Sequence, residues 1–306
     1  MRITLKKTTL AFLALIIANV IWGAAAPIFK WSLQDVEPFT FGFLRFFLAA
    51  LFFLPFTIHK LHIRREDLFT FGFLGLFGIT VHISYLLLGL QISESINLPI
   101  ITSAGPVFLI LGSIFFFREK PKQKIILGTL ISLAGVIFII LQPLLEKGID
   151  GSVWGNLFYV ISTICFVVYT MVLHKLTKKY HFITLTFWTF AIGALGFTPF
   201  MFSEVQTHGF LTGLETPGLF GILYGAIFSS GIAYACYAFG MKYIATNETG
   251  IFLYIDPVVA VIIAMPLLGE KVTLPFLLGS FLVFAGIFVA ENRIHYHPLH
   301  KLKTKS

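Results

Sequence analysis

Residues 106–135 read PVFLILGSIFFFREKPKQKIILGTLISLAG, and residues 257–286 read PVVAVIIAMPLLGEKVTLPFLLGSFLVFAG. The second stretch repeats the first at a constant offset of 151 positions. Pro106-Val107, Glu119-Lys120, Leu127-Gly128 and Ala134-Gly135 recur as Pro257-Val258, Glu270-Lys271, Leu278-Gly279 and Ala285-Gly286 with no gap between them. Gly89 and Ile100 extend the match to Gly240 and Ile251. Apolar sequence aligns easily by chance, but a charged Glu-Lys pair inside an ungapped run does not. The chain therefore reads as a duplication of one strongly apolar unit.

Composition says what kind of unit. The 306 residues are 57% hydrophobic and only 12% charged, with a mean hydropathy of +0.90. Soluble domains carry about 25% charged residues. Apolar runs of roughly 20 residues, each able to cross a ~30 Å hydrocarbon core, make up most of the chain. Lipid tolerates only helices or closed barrels, because unpaired backbone groups are too costly there. The runs lack the period-two alternation of barrel strands, so they read as helices. The expected fold is all-α and integral to the membrane, with ten transmembrane helices arranged as two inverted five-helix repeats, residues 1–148 and 149–306. The spans are expected near residues 9–29, 38–58, 68–90, 96–117, 124–144, 153–174, 183–202, 217–240, 248–268 and 274–292. The longest loop, near 203–216, is too short to fold alone.

Charge sets the orientation. With the N-terminus in the cytoplasm, eighteen Lys and Arg residues fall on inner segments: Arg2, Lys6, Lys7, Lys60, Arg64, Arg65, Arg118, Lys120, Lys122, Lys124, Lys175, Lys178, Lys179, Lys242, Arg293, Lys301, Lys303 and Lys305. Three, Lys30, Lys147 and Lys271, fall outside. This positive-inside bias puts both termini in the cytoplasm of a cell inner (plasma) membrane. The net charge of +8 then reads as attraction to an anionic leaflet rather than to nucleic acid. Lys6-Lys7, the following apolar run and Ala24-Ala25-Ala26 imitate a signal peptide, yet the run continues to Phe29, long enough to span. Cys165 and Cys236 fall mid-helix and suggest neither a disulfide framework nor a metal set. The tail His295-Tyr296-His297-Pro298 with His300 reads as a solvated basic tail; no metal site is expected.

Five helices separate the copies, so equivalent helices should cross in opposite directions. Such an arrangement has two near-equivalent packings, open to either side, which is the basis of alternating access. Pro106 and Pro257 are expected to interrupt the fourth and ninth helices. Glu119 and Glu270 stand where those helices end, placed to cap the helix that follows. Gly128, Gly135, Gly279 and Gly286 offer small faces for close packing.

These features together resemble the drug/metabolite transporter superfamily, and within it the EamA-type bacterial exporters, over essentially the whole chain. The carriers are Trp22-Gly23, Arg45 within Phe43-Leu44-Arg45-Phe46, Pro106 followed by Arg118-Glu119-Lys120, Pro257 followed by Gly269-Glu270-Lys271, and the glycine pairs. The resemblance implies ten helices, cytoplasmic termini, a central cavity shared by both halves and export of small metabolites. The chain departs from the pattern at Arg118, where the family usually has glycine, and Asp256 is not among the residues that carry the resemblance.

Ionisable groups inside a membrane cost about 2.5–3.5 kcal/mol at a helix centre, so they face the interior and suggest function. Asp256 precedes Pro257, and its repeat partner is Gly105. It reads either as a proton carrier or cation-binding group, or as a structural carboxylate paired with Arg45 or with backbone. Arg45 sits about seven residues, roughly 10 Å, into the second helix. It could bind an anionic solute, lock Asp256 or Glu94, or snorkel to headgroups. Gly75, Gly78, His82, Tyr85 and Gly89 share one face of the third helix, a face suited to lining a cavity or to packing. Trp22, Tyr159, Tyr169, Trp188, Tyr234, Tyr237 and Tyr254 lie away from most span ends and suit either packing or contact with an aromatic, amide or cationic solute. Asn19 and Asn97 are polar candidates for the cavity or for helix pairing.

The expected function is secondary-active transport of a small metabolite, such as an amino acid or related organic solute. A Walker-type ATP loop is missing from the sequence, as are the metal-pair and nucleophile-turn motifs of an intramembrane enzyme. Neither a carbonyl filter nor rings of charge suggest a channel. The expected partners are the solute, membrane lipids and a coupling proton; no catalytic residue, cofactor or nucleic acid is expected.

Overall fold

The computed structural model describes residues 2–58, 61–117, 123–146, 151–176, 179–244, 252 and 254–290. The expectations for Glu119, Arg118 and the histidine tail lie outside these residues. All regular structure among the described residues is helical. Seven helical spans are long and apolar enough to cross a membrane, beginning with Thr8–Ser32 and ending with Thr216–Tyr237. Three shorter apolar helices, Asn97–Gly112, Ile255–Leu268 and Leu274–Ala290, fall inside the stretches expected at 96–117, 248–268 and 274–292. The chain is a multi-pass membrane protein.

The elements are α1 (Arg2–Ser32), α2 (Pro38–Thr57), α3 (Leu68–Gly75), α4 (His82–Ile92), α5 (Asn97–Ser103), α6 (Gly105–Phe117), α7 (Gln123–Glu146), α8 (Ser152–Leu176), α9 (Phe182–His208), α10 (Thr216–Leu223), α11 (Ala233–Tyr243), α12 (Ile255–Leu268) and α13 (Leu274–Ala290). Two π-helical segments interrupt the pattern. Leu76–Val81 joins α3 to α4, and Tyr224–Ile232 joins α10 to α11. Shifting the first by 151 positions lands it on 227–232, inside the second. Each π turn carries an extra residue and occurs mostly at functional positions.

Several boundaries differ from expectation for local reasons. The fourth span is broken at Ala104, and Pro106 is the second residue of the helix that resumes. Pro257 is likewise in the first turn of α12. Both prolines stand in a first turn, where no intrahelical N–H is needed; at Pro106 this is the turn that resumes after the expected interruption of the fourth span. The helix expected to end near 202 runs on to His208, where Gly209 takes φ 84° and stops it. The loop expected at 203–216 shrinks accordingly. Ala24, Ala25 and Ala26 are buried mid-helix in α1.

The tightest helix pairing is α7 against α13. A methyl group at Gly128 would meet the Gly286 carbonyl at 2.6 Å, and one at Gly135 would meet the Gly279 carbonyl at 2.8 Å. The start of each helix therefore faces the end of the other. Backbones can approach this closely only where side chains are absent. The contact also exchanges equivalents: Gly128 corresponds to Gly279 and Gly135 to Gly286 under the 151-residue offset.

Three carboxylates tie one end of the bundle together by capping helices remote in sequence. Asp35 accepts from the Glu215 and Gly218 amides at the start of α10. Glu204 accepts from the Phe39 and Thr40 amides and the Thr40 hydroxyl at the start of α2. Glu270 accepts from the Ser95 and Ile96 amides, at 2.7 and 3.0 Å, and from the Ser95 hydroxyl, just before α5. Capping is the expected role for Glu270, but its target is different. It serves a helix 175 positions away, not the α13 that follows it. Open amides at a helix start attract any carboxylate that tertiary packing delivers.

Candidate functional site

The middle of the bundle holds one positive charge among aromatic rings. Arg45, on α2, is 4% exposed. Its guanidinium lies 4.6 Å from the centre of the Phe29 ring and 4.7 Å from that of Phe46. Nε donates to the Ser230 hydroxyl and Nη2 to the Ser229 hydroxyl, both at 3.1 Å. Those serines belong to the π segment of the opposite half of the chain. Gly225, one π-helical turn earlier, is open enough for the arginine stem to pass: a methyl there would meet the Arg45 Cδ at 3.0 Å. Arg45 therefore turns inward and does not snorkel. No ion pair joins it to Asp256, Glu94 or any other acid among the described residues.

α1 supplies the next layer. Trp22 Nε1 donates to the Ser229 carbonyl at 3.1 Å. Its ring meets Tyr234 at 5.3 Å in an edge-to-face contact and Tyr237 at 5.1 Å. Tyr234 leans edge-on against Phe190, which also packs on Phe46. Such contacts are worth about 0.5–1.5 kcal/mol each beyond burial, enough to fix ring orientation. Tyr224 donates to the Ile21 carbonyl at 2.7 Å. Arg45, Trp22, Tyr234 and Tyr237 thus converge around Ser229 and Ser230.

His82 follows directly on the first π segment. Its Nδ1 lies 2.9 Å from the Ser162 carbonyl and 2.8 Å from the Ser162 hydroxyl. A carbonyl only accepts, so an Nδ1 bonded to it carries a proton. Phe166 stacks beside the ring at 5.2 Å.

The remaining expected residues separate from this cluster. Asp256 is on α12, one residue after its start, with Oδ1 buried and without a hydrogen-bond partner among the described residues. Its backbone abuts Gly23, the neighbour of Trp22; a methyl on Gly23 would meet the Asp256 carbonyl at 2.7 Å. Tyr254 packs on Phe284, and Tyr85 on Phe158. Trp188 donates to the Leu61 carbonyl at 3.0 Å and walls a cleft of about 500 Å³ with Leu61, His62, Ile63, Leu68, Phe71 and Ile192. Tyr169 fills the space over Gly78, while Ile192 covers Gly75 and Tyr159 covers Gly89. The glycines of the third span therefore seat rings and side chains of neighbouring helices. Asn19 donates to the Leu15 carbonyl within its own helix. Asn97 donates to Asn156, which also accepts from Ser93 and donates to the Ile139 carbonyl.

Sequence reasoning passed over Ser229, Ser230, Tyr224, Phe29, Lys30 and Glu204. The serine pair did carry a signal: two adjacent hydroxyls in the middle of an apolar run. Lys30 donates to Glu270 at 2.9 Å and to the Ser93 carbonyl at 2.6 Å. At the opposite end of the bundle Lys179 and Tyr180 both donate to Asp67, at 2.9 and 2.7 Å. The hydrogen bond to Asp67 holds the Lys179 ammonium above its usual range.

Comparison with known proteins places this arrangement. The EamA-like transporter family model matches the chain twice, over residues 9–141 and again over 153–291. An uncharacterized transporter of Archaeoglobus fulgidus is 27% identical over 282 residues, covering 92% of this chain and 99% of the relative. The uncharacterized transporter YetK of Bacillus subtilis is 26% identical, covering 94% of this chain and 88% of its own. A crystal structure aligns with TM-score 0.63 at 18% identity, covering 94% of this chain and 99% of the other, a likeness of fold. The chain belongs to the EamA-like transporter family.

Proposed function

We propose that this EamA-family chain is a secondary carrier, exporting a small organic metabolite across the cell inner membrane by alternating access. Ten spans form two inverted halves, residues 1–148 and 149–306, with both termini in the cytoplasm. The exchanged contacts of Gly128 with Gly286 and of Gly135 with Gly279 support this reading. Equivalent residues swap places across an antiparallel helix pair, as a twofold axis in the membrane plane requires. The double match of one family model agrees.

The observation that carries the proposal is the site itself. A desolvated arginine from the first half is held by two serines of the second, with Trp22 of the first half packed edge-to-face on Tyr234 and tilted on Tyr237 of the second. A polar centre built across the seam between halves changes shape whenever the halves rock. That coupling is what a carrier needs and a rigid catalyst does not.

The ends of the bundle fit the same cycle. Lys30 with Glu270 closes the outer end, and Asp67 with Lys179 and Tyr180 closes the cytoplasmic end. Only one closure can open at a time if the halves pivot between them. Asp256, buried beside Gly23, is the coupling group, exchanging a proton as α1 and α12 part.

Counterflow in proteoliposomes tests the function. Vesicles loaded with the cognate solute should accumulate labelled solute against its gradient. Single-channel currents, or product formed without translocation, would overturn the carrier reading.

A further inference from the structure

We infer that the Arg45 site is a carboxylate anchor, so that the transported solute carries a carboxylate which docks on the free edge of this guanidinium; the inference rests on the carrier reading above. The site is rich in donors and poor in acceptors. A guanidinium has five N–H groups in one plane. Among the described residues only two of these bonds are made, to Ser230 and Ser229. Both hydroxyls serve as acceptors there, and among the described residues neither of their own hydrogens meets an acceptor. The nearby acceptors are occupied: Trp22 takes the Ser229 carbonyl and Tyr224 takes the Ile21 carbonyl.

Shape narrows the choice of anion. Phe29 and Phe46 lie close to the guanidinium and crowd it with apolar surface. Nε and Nη2 are engaged, so the open donors lie along the in-plane edge that includes Nη1. A planar two-oxygen group matches such an edge in bidentate fashion. A phosphate dianion would call for a second cation, and neither an ammonium nor another guanidinium bonds to these groups among the described residues. A desolvated charge of this kind is costly to leave without its counter-ion. An incoming carboxylate relieves that cost, and the rings of Trp22, Tyr234 and Phe190 lie next to where the rest of the solute would sit.

The test compares solutes that differ only at the carboxylate. Purified full-length protein in phosphatidylcholine vesicles is assayed for counterflow with common amino acids and simple carboxylates, each beside its carboxamide and the amine lacking the group. Inorganic phosphate and chloride serve as competing anions. At least one carboxylate should exchange, with its carboxamide about ten- to a hundredfold weaker, the span of a charge-assisted hydrogen-bond pair. Arg45→Lys keeps the charge but loses the fork, and should weaken the carboxylate while shrinking its advantage over the amide. Ser229→Ala with Ser230→Ala, a milder pair should Arg45→Lys not fold, should shrink that advantage about threefold or more. Equal exchange of carboxylate and carboxamide, or exchange of cations and neutral solutes alone, overturns the anchor and leaves the carrier. Stronger competition by phosphate than by any carboxylate also overturns it. No exchange of any solute overturns the anchor and counts against the carrier reading itself.

Discussion

Lys30 and Glu270, 240 positions apart, meet through Nζ and Oε1 at 2.9 Å, and the same carboxylate caps the chain entering α5. The glutamate side chain is 5% exposed and the lysine 25%. One buried carboxylate thus joins the end of α1, the approach to α5 and the end of α12. Lys30→Met should release this closure. In a background lacking Cys165 and Cys236, a cysteine at Ser93 should then react several-fold faster with an impermeant maleimide added outside. An unchanged labelling rate would remove Lys30 from the outer closure.

The opposite end should respond in the opposite sense. Lys179 is 45% exposed, so its pair with Asp67 is partly screened by solvent and its effect is modest. Asp67→Asn should shift the balance modestly toward the cytoplasm-open form. Cysteine labelling from the two sides in inverted and right-side-out vesicles reads the shift. Equal rates before and after the substitution would show that the pair does not close the gate.

Protonation of the Asp67–Lys179 pair should not set the pH response near neutrality. Tyr180 and Lys179 hold the Asp67 carboxyl below its usual range, and Asp67 holds the Lys179 ammonium above its own, so the pair is lost only as pH falls through the lowered carboxyl value or rises through the raised ammonium value. Any change in exchange rate between about pH 5 and 8 should come from another group, for which Asp256 is placed. Asp256→Asn should flatten the pH profile of counterflow while leaving folded yield unchanged. A variant with the wild-type profile would refute the coupling assignment.

The glycine seam should be intolerant of added atoms. Gly128→Val or Gly286→Val forces side-chain atoms into backbone on the partner helix. Each should destabilise the detergent-solubilised protein by about 1–3 kcal/mol or more, as overpacking does. Gly112→Ala, where an added methyl meets nothing within 4 Å, is the control. Thermal unfolding followed by size-exclusion fluorescence makes the comparison.

Topology underlies every one of these outcomes. Reporter fusions at the two termini should both be active only with a cytoplasmic reporter. Opposite locations would dismantle the inverted-halves arrangement.

Much of the fold was legible because hydropathy and charge act locally. Apolar runs located the helices, and the repeated Glu-Lys and Ala-Gly pairs pointed to a duplicated unit of the family to which the chain belongs. The fourth span breaks next to Pro106 as expected, and both prolines sit in the first turn of a helix; the boundary that shifted is the one at 202, where the helix runs on until Gly209 ends it. The aromatic candidates fall into separate places in the fold. Trp22, Tyr234 and Tyr237 meet at the seam, whereas Trp188, Tyr85 and Tyr254 pack elsewhere.

The sequence by itself determined that this chain lives in a membrane, is helical there and belongs to a transporter family, since each property is a sum over neighbouring residues. Only the tertiary structure decided who answers each charge. Arg45 meets Ser229 and Ser230 rather than Asp256, and Glu270 caps α5 rather than its own successor. A buried charge is settled by whichever donor or acceptor packing brings within 3 Å or so, and that distance joins residues the chain itself holds far apart.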